Sequence, residues 1–549
     1  MVENNIINHV ISLQSFTVFS EYFIALSIIY ILIVITLIAY NSYQLMLQKA
    51  VSNSISLILF MSCYLMLNDD LVAQGCFVFD KSLINDYLGF FTKFLICFCS
   101  AIYFLFIADF LKEQKLTSFE YLIIILFAVL GLMLMCCSND LLIAYLTIEL
   151  SSLAFYILAS FKKTSSYSIE GGIKYFITGA VSSAFFLLGS SFLYGITGSI
   201  NFYEFFTLFR KSQFDLFPFR DVFYFWPTLS FETIIWYLDQ EQKGLPPIMF
   251  DFNFVEIGLG FILFSLFIKL ALAPFHLWSL DVYEGSPTSA TFFFAVISKL
   301  SIFVLLIRIC YISFLNTNDN WKFYFIWVGV FSIFVGSFGG LKQRKLKSLL
   351  AYSSTSHMGY LLLALSVGNY LGIEMVLFYM VIYMISGLCL WYIVLVLKLK
   401  TKNPTLKYNK ELGDLAILHK SNKSVSFLLA LTMFSIAGIP PLVGFLAKLN
   451  VFLPLICLSL NLVALVSILF SVISTFYYIR VIKVLYFENL LVGKLYFPIN
   501  SEKTIILSIL VLLLIFLFIN PNLLYLLCYK TTLLLPCVVK KCLLLQTGT

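Results

Sequence analysis

Fourteen long apolar runs decide what this chain can fold into. Most of them reach the roughly 20 apolar residues that an α-helix needs to cross the hydrocarbon core of a bilayer. Runs such as 123–135 are continuously apolar, whereas the strands of a transmembrane barrel alternate apolar and polar residues. The sequence therefore predicts an all-α integral membrane protein with about fourteen transmembrane helices. The runs lie near 21–40, 54–68, 88–108, 119–137, 139–161, 171–196, 254–280, 289–311, 321–340, 346–367, 372–397, 425–449, 455–479 and 503–520.

The composition excludes several classes of protein. Of the 549 residues, 61% are hydrophobic and only 11% are charged, whereas soluble domains carry about 25% charged residues. The net charge is +7, but the Lys and Arg residues are dispersed and form no basic stripe, so nucleic acid is not an expected partner. The twelve cysteines form no repeated C-x-x-C pattern, and no metal site is predicted. Lipid is the expected surrounding.

The charge distribution predicts the orientation and the compartment. Loops assigned to one side of the membrane carry 20 Lys and Arg residues, and those on the other side carry nine. The positive-inside rule places the first set in the cytoplasm or matrix and both termini on the opposite side. Residues 1–20 lack the Lys and Arg of a signal or transit peptide. The chain is therefore expected to be either bacterial or made inside the organelle where it works. The composition, rich in Phe, Tyr and Leu, favours a mitochondrial inner-membrane protein with termini in the intermembrane space, and the alternative is a bacterial plasma-membrane protein.

Three ionisable residues lie near the middle of apolar runs. Glu149 and Lys299 are each ten residues into a run, and Lys269 is eleven residues before the end of one. An ionisable group at the bilayer centre costs at least ~2.5–3.5 kcal/mol, so such residues are functional candidates. Lys93 and Arg308 lie closer to run ends, where snorkelling to the interface would accommodate both.

Prolines interrupt two of the runs. Pro274 follows Lys269 in the first, and Pro440 and Pro441 precede Lys448 in the second. A proline frees a backbone carbonyl, which needs a protein or water partner inside a membrane. Interrupted helices in two halves of a chain are typical of ion pathways in transporters with inverted repeats. The alternative is a pair of kinks that serve packing.

These residue types suit proton transfer. Moving a carboxylate such as Glu149 toward or away from a buried lysine such as Lys269 would change the free energy of protonating that lysine. The change would be comparable with the ~2.3 kcal/mol needed to move one charge across 100 mV. A neutral histidine can pass a proton between its two nitrogens, so His276 and His357 are either relays or core residues. Lys174 follows Glu170 by four residues, a spacing that also predicts a simple helix-surface ion pair.

Several segments between residues 119 and 450 resemble subunit 2, the N-type subunit, of proton-pumping NADH:ubiquinone oxidoreductase (respiratory complex I). The string Pro-Phe-His-x-Trp followed by Asp-Val-Tyr-Glu-Gly-x-Pro-Thr is the most specific match, although Ser279-Leu280 replaces the proline that usually precedes the Asp. The matching segments are Ile148-Glu149-Leu150, Gly171-Gly172-Ile173-Lys174, Pro274-Phe275-His276-Leu277-Trp278, Asp281-Val282-Tyr283-Glu284-Gly285, His357-Met358-Gly359-Tyr360 and Gly438-Ile439-Pro440-Pro441.

The resemblance implies a fold and a division of the chain. Proteins of this family have fourteen helices with two inverted five-helix repeats and two broken helices, similar to Na⁺/H⁺ antiporter subunits. The expected division is N-terminal helices at 1–118, a first repeat at 119–311 that includes an extramembrane loop at 197–253, a second repeat at 312–485, and a C-terminal helix and tail at 486–549.

The resemblance also implies roles for individual residues. Glu149 would modulate the pump lysine Lys269, Lys174 and Lys299 would belong to the inner transfer chain, and Lys448 would be the exit-side group. No cofactor is expected in this chain, because NADH, FMN, iron–sulfur clusters and ubiquinone belong to the rest of the complex. The expected partners are other membrane-arm subunits, including antiporter-like sister subunits, and lipids. A Na⁺/H⁺ antiporter or membrane-hydrogenase subunit, or a structural subunit that has lost pumping, is the alternative.

Overall fold

Helices account for nearly all of the regular structure. The computed structural model describes residues 19–38, 44–67, 76–113, 120–215, 252–315, 318–399, 407–408, 411–488 and 501–546. The helices are α1 Phe19–Ile38, α2 Gln44–Leu67, α3 Tyr87–Glu113, α4 Glu120–Cys137, α5 Leu141–Ala159, α6 Ser166–Thr197, α7 Phe202–Asp215, α8 Phe252–Leu270, α9 Leu277–Gly285, α10 Thr288–Val296, α11 Ser298–Ile307, α12 Asn318–Leu341, α13 Leu346–Leu365, α14 Tyr370–Val396, α15 Leu418–Ser421, α16 Lys423–Ala437, α17 Val443–Cys457, α18 Asn461–Phe487, α19 Ser501–Ile519 and α20 Asn522–Gln546.

Each of the fourteen apolar runs contains a helix, which confirms the predicted all-α class. Among the described residues, nine helices are long and apolar enough to cross a bilayer, or ten if α19 and α20, bent by 80°, form one span. The count of fourteen crossings stays a prediction. In the described part of the chain, two pairs of short antiparallel strands lie between helices, β1 Cys76–Val78 with β2 Leu83–Asn85 and β3 Lys398–Leu399 with β4 Lys407–Tyr408.

Two segments expected to lack helices contain them. Residues Phe202–Asp215 of the predicted loop 197–253 form α7, because Phe205 and Phe209 share one face and pack on Phe314 at ring distances of 5.9 and 5.2 Å. Residues 216–251 lie outside the described part of the chain. The predicted tail contains α20, whose Tyr525 stacks on Phe378 at 4.4 Å. In both cases, tertiary contacts with distant aromatic rings stabilise a helix that the local sequence signals weakly.

The core surrounds α10 and α11. Every residue from 289 to 314 is buried, and this stretch carries Lys299 and Arg308. Helices α5, α6, α12 and α18 instead lie at the periphery and expose large apolar side chains, such as Leu146, Trp327 and Phe476. Apolar outer faces are what lipid or neighbouring membrane helices cover.

The first interrupted run breaks immediately after Lys269. Helix α8 ends at Leu270, and α9 begins beyond Pro274. At the break, the carbonyl of Ile268 accepts a hydrogen bond from the backbone nitrogen of Ala271 and a second one from the indole nitrogen of Trp278, both at 3.0 Å. The freed backbone group is thus satisfied inside the protein, as a membrane requires.

The second interrupted run shows the same arrangement. Helix α16 ends at Ala437, and α17 begins after the Pro440-Pro441 pair. The carbonyl of Ala437 accepts a hydrogen bond from Nζ of Lys448 at 2.6 Å. In each break, therefore, a side chain from the following helix donates to a carbonyl at the end of the interrupted helix.

Candidate functional site

Helix α5 aligns Glu149 and Tyr156 toward the first break. The two residues are seven positions apart, about two helical turns, so they share a face. Nζ of Lys269 donates to the hydroxyl of Tyr156 at 3.3 Å and lies 5.8 Å from the centre of its ring. Glu149 interacts electrostatically with Lys269, but these two described side chains form no direct salt bridge. Oε1 of Glu149 is buried and has no hydrogen-bond partner among the described residues.

Small residues on α6 make room for Tyr156. A Cβ atom on Gly179 would lie 1.8 Å from the Tyr156 hydroxyl oxygen, so only glycine fits there. The ring of Tyr175, also on α6, meets the Tyr156 ring edge-on at 4.9 Å. Tyr156 is therefore held between α6 and the lysine at the end of α8.

Lys299 lies at the start of α11 and is only 4% exposed. Its Nζ donates to the hydroxyl of Tyr383 on α14 at 3.4 Å and lies 5.6 Å from the ring centre. The Tyr383 hydroxyl itself donates to the carbonyl of Ala295 at 3.0 Å. Because that hydroxyl proton is already directed at Ala295, a lone pair of the oxygen faces the amine.

His357 lies between Lys299 and Lys448. Its Nδ1 hydrogen-bonds the hydroxyl of Tyr379 at 2.7 Å, and its Nε2 hydrogen-bonds that of Tyr478 at 3.2 Å. Both amines interact electrostatically with this imidazole. Since each ring nitrogen has a hydroxyl partner that can donate or accept, either neutral tautomer of His357 is satisfied.

Lys448 is buried on α17 at the second break. Besides its hydrogen bond to the Ala437 carbonyl, its Nζ lies 5.6 Å from the centre of the Tyr360 ring. Gly438 leaves space for the lysine chain, because a Cβ there would lie 2.9 Å from Cδ of Lys448.

Two candidates lie apart from these groups. His276 is buried beside Tyr352, at a ring distance of 6.1 Å, and its Nδ1 has no hydrogen-bond partner in the described part of the chain. The Lys174 side chain is 43% exposed and pairs with both Glu170 and Asp281 at 2.7 Å. The predicted pair with Glu170 is confirmed, and α9 adds a second carboxylate. A part in the transfer chain stays a prediction for both residues.

The prediction that Lys93 and Arg308 snorkel to the membrane interface is wrong, because the two residues are only 2% and 1% exposed. Lys93 pairs with Glu21 at 2.8 Å, and Arg308 pairs with Asp86 at 2.6 and 3.1 Å. A buried carboxylate partner offsets the desolvation of each cation, so neither needs to reach water. These partners are 72 and 222 positions away, which conceals the pairing in the sequence.

Sequence reasoning also missed the tyrosines of the site. A chain with 32 tyrosines gives no local signal that marks a few of them. The only indirect signal is the neighbourhood of a lysine within an apolar run. The missed residues are Tyr156, Tyr360, Tyr379, Tyr383 and Tyr478.

No metal-binding cluster is found within the described ranges, where no three His, Cys, Asp or Glu side chains are grouped suitably. Cys97 and Cys136 are buried free thiols. Both lie among the apolar side chains of α3 and α4, as their place in apolar runs predicts.

Comparison with known proteins assigns the family. The family model described as NADH:quinone oxidoreductase/Mrp antiporter, transmembrane, matches residues 138–475, which include both helix breaks and all of the candidate residues. The chain belongs to this family. One relative is NADH-ubiquinone oxidoreductase chain 2 of Marchantia polymorpha, which is 35% identical over 83% of this chain and 85% of the relative. Another is NADH-quinone oxidoreductase subunit N of Pelagibacter ubique, 35% identical over 85% and 89% of the two chains.

Solved structures share the fold at lower identity. A chain of respiratory complex I from Thermus thermophilus with bound aureothin is 23% identical, with a TM-score of 0.71 and coverage of 92% of this chain and 98% of that one. A chain of the Mrp complex from Dietzia is 16% identical, with a TM-score of 0.70 and coverage of 94% and 97%. These two similarities show that this chain has the antiporter-like fold, which chains of differently named complexes share.

Proposed function

We propose that this chain is a proton-translocating membrane-arm subunit of NADH:quinone oxidoreductase. Family membership and relatives named as chain 2 or subunit N support this assignment. One structural contrast carries the mechanism. Among the described residues, the site amines of Lys269, Lys299 and Lys448 have only neutral hydrogen-bond acceptors and no direct carboxylate pair. Lys93 and Arg308, which are fully buried, each have one.

This contrast separates titrating cations from permanent ones. A buried lysine that loses its proton beside a carboxylate leaves that carboxylate charged and unpaired, which is costly. A lysine beside a hydroxyl or a carbonyl leaves no such charge. Lys269, Lys299 and Lys448 are therefore suited to gaining and losing protons, whereas Lys93 and Arg308 are suited to remaining charged.

The proposed route runs from one half of the chain to the other. Glu149 controls the proton affinity of Lys269, and protons pass to Lys299, then through His357 to Lys448. Oε1 of Glu149 and Nδ1 of His276 are buried and have no hydrogen-bond partner among the residues that the structure describes, so ordered water would be expected to bind there.

The remaining expectations form part of the same proposal. NADH, FMN, iron–sulfur clusters and ubiquinone would act in other subunits, and antiporter-like sister subunits and lipids would cover the apolar flanks. The chain would cross the mitochondrial inner membrane fourteen times, with its termini in the intermembrane space. The inverted repeats would occupy 119–311 and 312–485. Charge bias between loops and the paired helix breaks support this arrangement.

The substitution Lys269→Ala tests the route. Removal of the amine should lower proton pumping by about tenfold, equivalent to ~1.4 kcal/mol in a barrier. Quinone reduction should fall with it, because the two processes are coupled. The measurement is proton uptake and NADH oxidation in membranes that contain equal amounts of assembled complex. Lys163→Ala, at an exposed lysine in the loop before α6, is the matched control. Normal proton stoichiometry in Lys269→Ala membranes would contradict the assignment.

A Na⁺/H⁺ antiporter subunit is the second candidate function. The matched family includes Mrp antiporters, and the Dietzia Mrp chain shares the fold over 94% of this chain. On that alternative, the amines of Lys269 and Lys299 would serve ion exchange.

A further inference from the structure

Helix α9, which follows the first break, carries two carboxylates that pair with lysines of other helices. Asp281 accepts a hydrogen bond from Nζ of Lys174 on α6 at 2.7 Å. Glu284, three positions further along α9, pairs with Lys345, the residue that precedes α13. Ion pairs therefore tie α9 to two helices that are far apart in the sequence.

The backbones of α9 and α6 also meet directly. Trp278, Asp281 and Gly285 recur at the helical spacing of i, i+3 and i+7, so they share the face of α9 that lies against α6. A Cβ on Gly285 would clash with the carbonyl oxygen of Tyr167, and a Cβ on Gly171 would lie 3.4 Å from that of Asp281. Because no side chain separates the two backbones here, the polar and aromatic contacts on the same face fix how α9 lies on α6.

The face of α9 that contacts α6 is connected to the first site amine. The indole ring of Trp278 stacks on the ring of Tyr175 at 4.6 Å, with an angle of 6° between the ring planes. The ring of Tyr175 meets that of Tyr156 edge-on at 4.9 Å. The hydroxyl of Tyr156 accepts the hydrogen bond from Nζ of Lys269. A continuous line of contacts therefore joins α9 to the Lys269 amine.

Lys174 has the partners of a permanent cation. Its Nζ pairs with Glu170 at 2.7 Å in addition to Asp281, so two carboxylates contact one amine. If the amine lost its proton, two like charges would face each other with no cation between them, which is unfavourable. Lys269, by contrast, donates to a tyrosine hydroxyl. By the criterion that separates Lys93 from the site amines, Lys174 is suited to remaining charged.

We propose that Lys174 is a positioning residue and not a proton carrier. Through Asp281 it holds α9 on α6, and α9 in turn holds the stacked rings beside the Lys269 amine. This inference rests on the proposed function, since it assigns the placement of a titrating lysine to a second lysine whose charge stays fixed. It replaces the part in the inner transfer chain that the family resemblance implies for Lys174.

Two substitutions of Lys174 distinguish a positioning cation from a proton carrier. Arginine pairs with carboxylates but does not release its proton in a protein. Lys174→Arg should therefore retain most of the proton pumping, whereas Lys174→Gln should lower it by about threefold, the scale expected for an exposed ion-pair network. The measurement is proton uptake per assembled complex. Lys163→Gln, at an exposed lysine in the loop before α6, is the matched control and should pump normally. If Lys174→Arg abolishes pumping, as loss of a carrier would, the proposal is wrong.

A double variant tests whether the effect passes through α9. Trp278→Leu removes the stack on Tyr175 and should lower pumping by a factor similar to that of Lys174→Gln. Addition of Lys174→Gln to Trp278→Leu should cause little further loss, because the ion pair then has no stacked ring left to position. Fully additive losses would show that Lys174 does not act through these rings and would overturn the proposal.

The outcomes separate this inference from the proposed function. If Lys269→Ala lowers pumping while Lys174→Gln pumps normally, the inference is overturned and the proposed function stands. If Lys269→Ala pumps normally, the proposed function is overturned. If Lys174→Gln does not assemble, Asp281→Glu and Asp281→Asn provide the same comparison, because only glutamate keeps the charge that faces Lys174. Equal activities of those two variants would overturn the inference.

Discussion

At the residue scale, the three amines of the site have different hydrogen-bond partners. Lys269 and Lys299 donate to tyrosine hydroxyls, whereas Lys448 donates to the carbonyl of Ala437 at a helix end. That carbonyl is available only because the helix stops there. Gly438 follows with a φ of 80°, a left-handed conformation that side chains other than glycine rarely adopt.

The substitution Gly438→Ala should disturb both the break and the lysine. A left-handed backbone costs a non-glycine residue about 1–2 kcal/mol, and the added Cβ would contact Cδ of Lys448 at 2.9 Å. We expect less assembled complex and a lower pumping rate per complex, measured by native gel and by proton uptake. Gly413→Ala is the control, since a Cβ there meets nothing within 4 Å. Equal behaviour of the two variants would show that this glycine is not required.

At the scale of elements, one ion pair links three helices. Arg308, at the end of α11, pairs with Asp86 just before α3 and donates from Nε to the carbonyl of Cys136 at the end of α4, at 2.8 Å. Gly89 packs so closely that a Cβ there would lie 2.9 Å from the Asp86 carboxylate. The helix that carries Lys299 is therefore anchored at its far end.

Removal of one member of this pair should be severe. Asp86→Ala would leave the Arg308 guanidinium buried and unpaired. Removing one partner of a buried ion pair costs roughly 3–5 kcal/mol of folding stability. We expect a lower thermal unfolding temperature of the detergent-solubilised complex and less assembly. The double variant Asp86→Ala with Arg308→Met should recover part of the loss, because it removes the stranded charge. A single variant as stable as the unmodified complex would refute the anchoring role.

At the scale of the whole molecule, the main feature is a broad apolar outer surface. The outer faces of α5, α6, α12 and α18 carry exposed residues such as Leu153, Phe176 and Phe331. Exposed faces of this kind need lipid or neighbouring membrane subunits. The two candidate functions predict different neighbouring subunits for these faces.

Purification of the chain from its own membranes should identify those neighbours. A tagged chain extracted in mild detergent should bring with it flavin and iron–sulfur proteins that oxidise NADH and reduce ubiquinone. The measurement is NADH:ubiquinone reductase activity in the purified fraction, with an untagged preparation as the control. A purified assembly that lacks this activity and exchanges Na⁺ for H⁺ in vesicles would favour the antiporter alternative.

Much of the architecture follows from local sequence. A helix that crosses lipid needs about 20 apolar residues, and this requirement makes each run visible. Prolines mark where α8 and α16 end, because a proline cannot continue a helix in a regular way. The cost of burying Glu149, Lys269 and Lys299 likewise singles them out without any knowledge of the fold.

The sequence by itself determined the membrane class, the helical runs, the two breaks and the amines worth studying, because each depends on neighbours a few positions apart. Only the tertiary structure decided which cations are paired and which are not. Arg308 meets Asp86 from 222 positions away, and Lys299 meets Tyr383 from 84 positions away. Electrostatic partnership depends on distance in space, and helix packing, which no local pattern encodes, sets that distance.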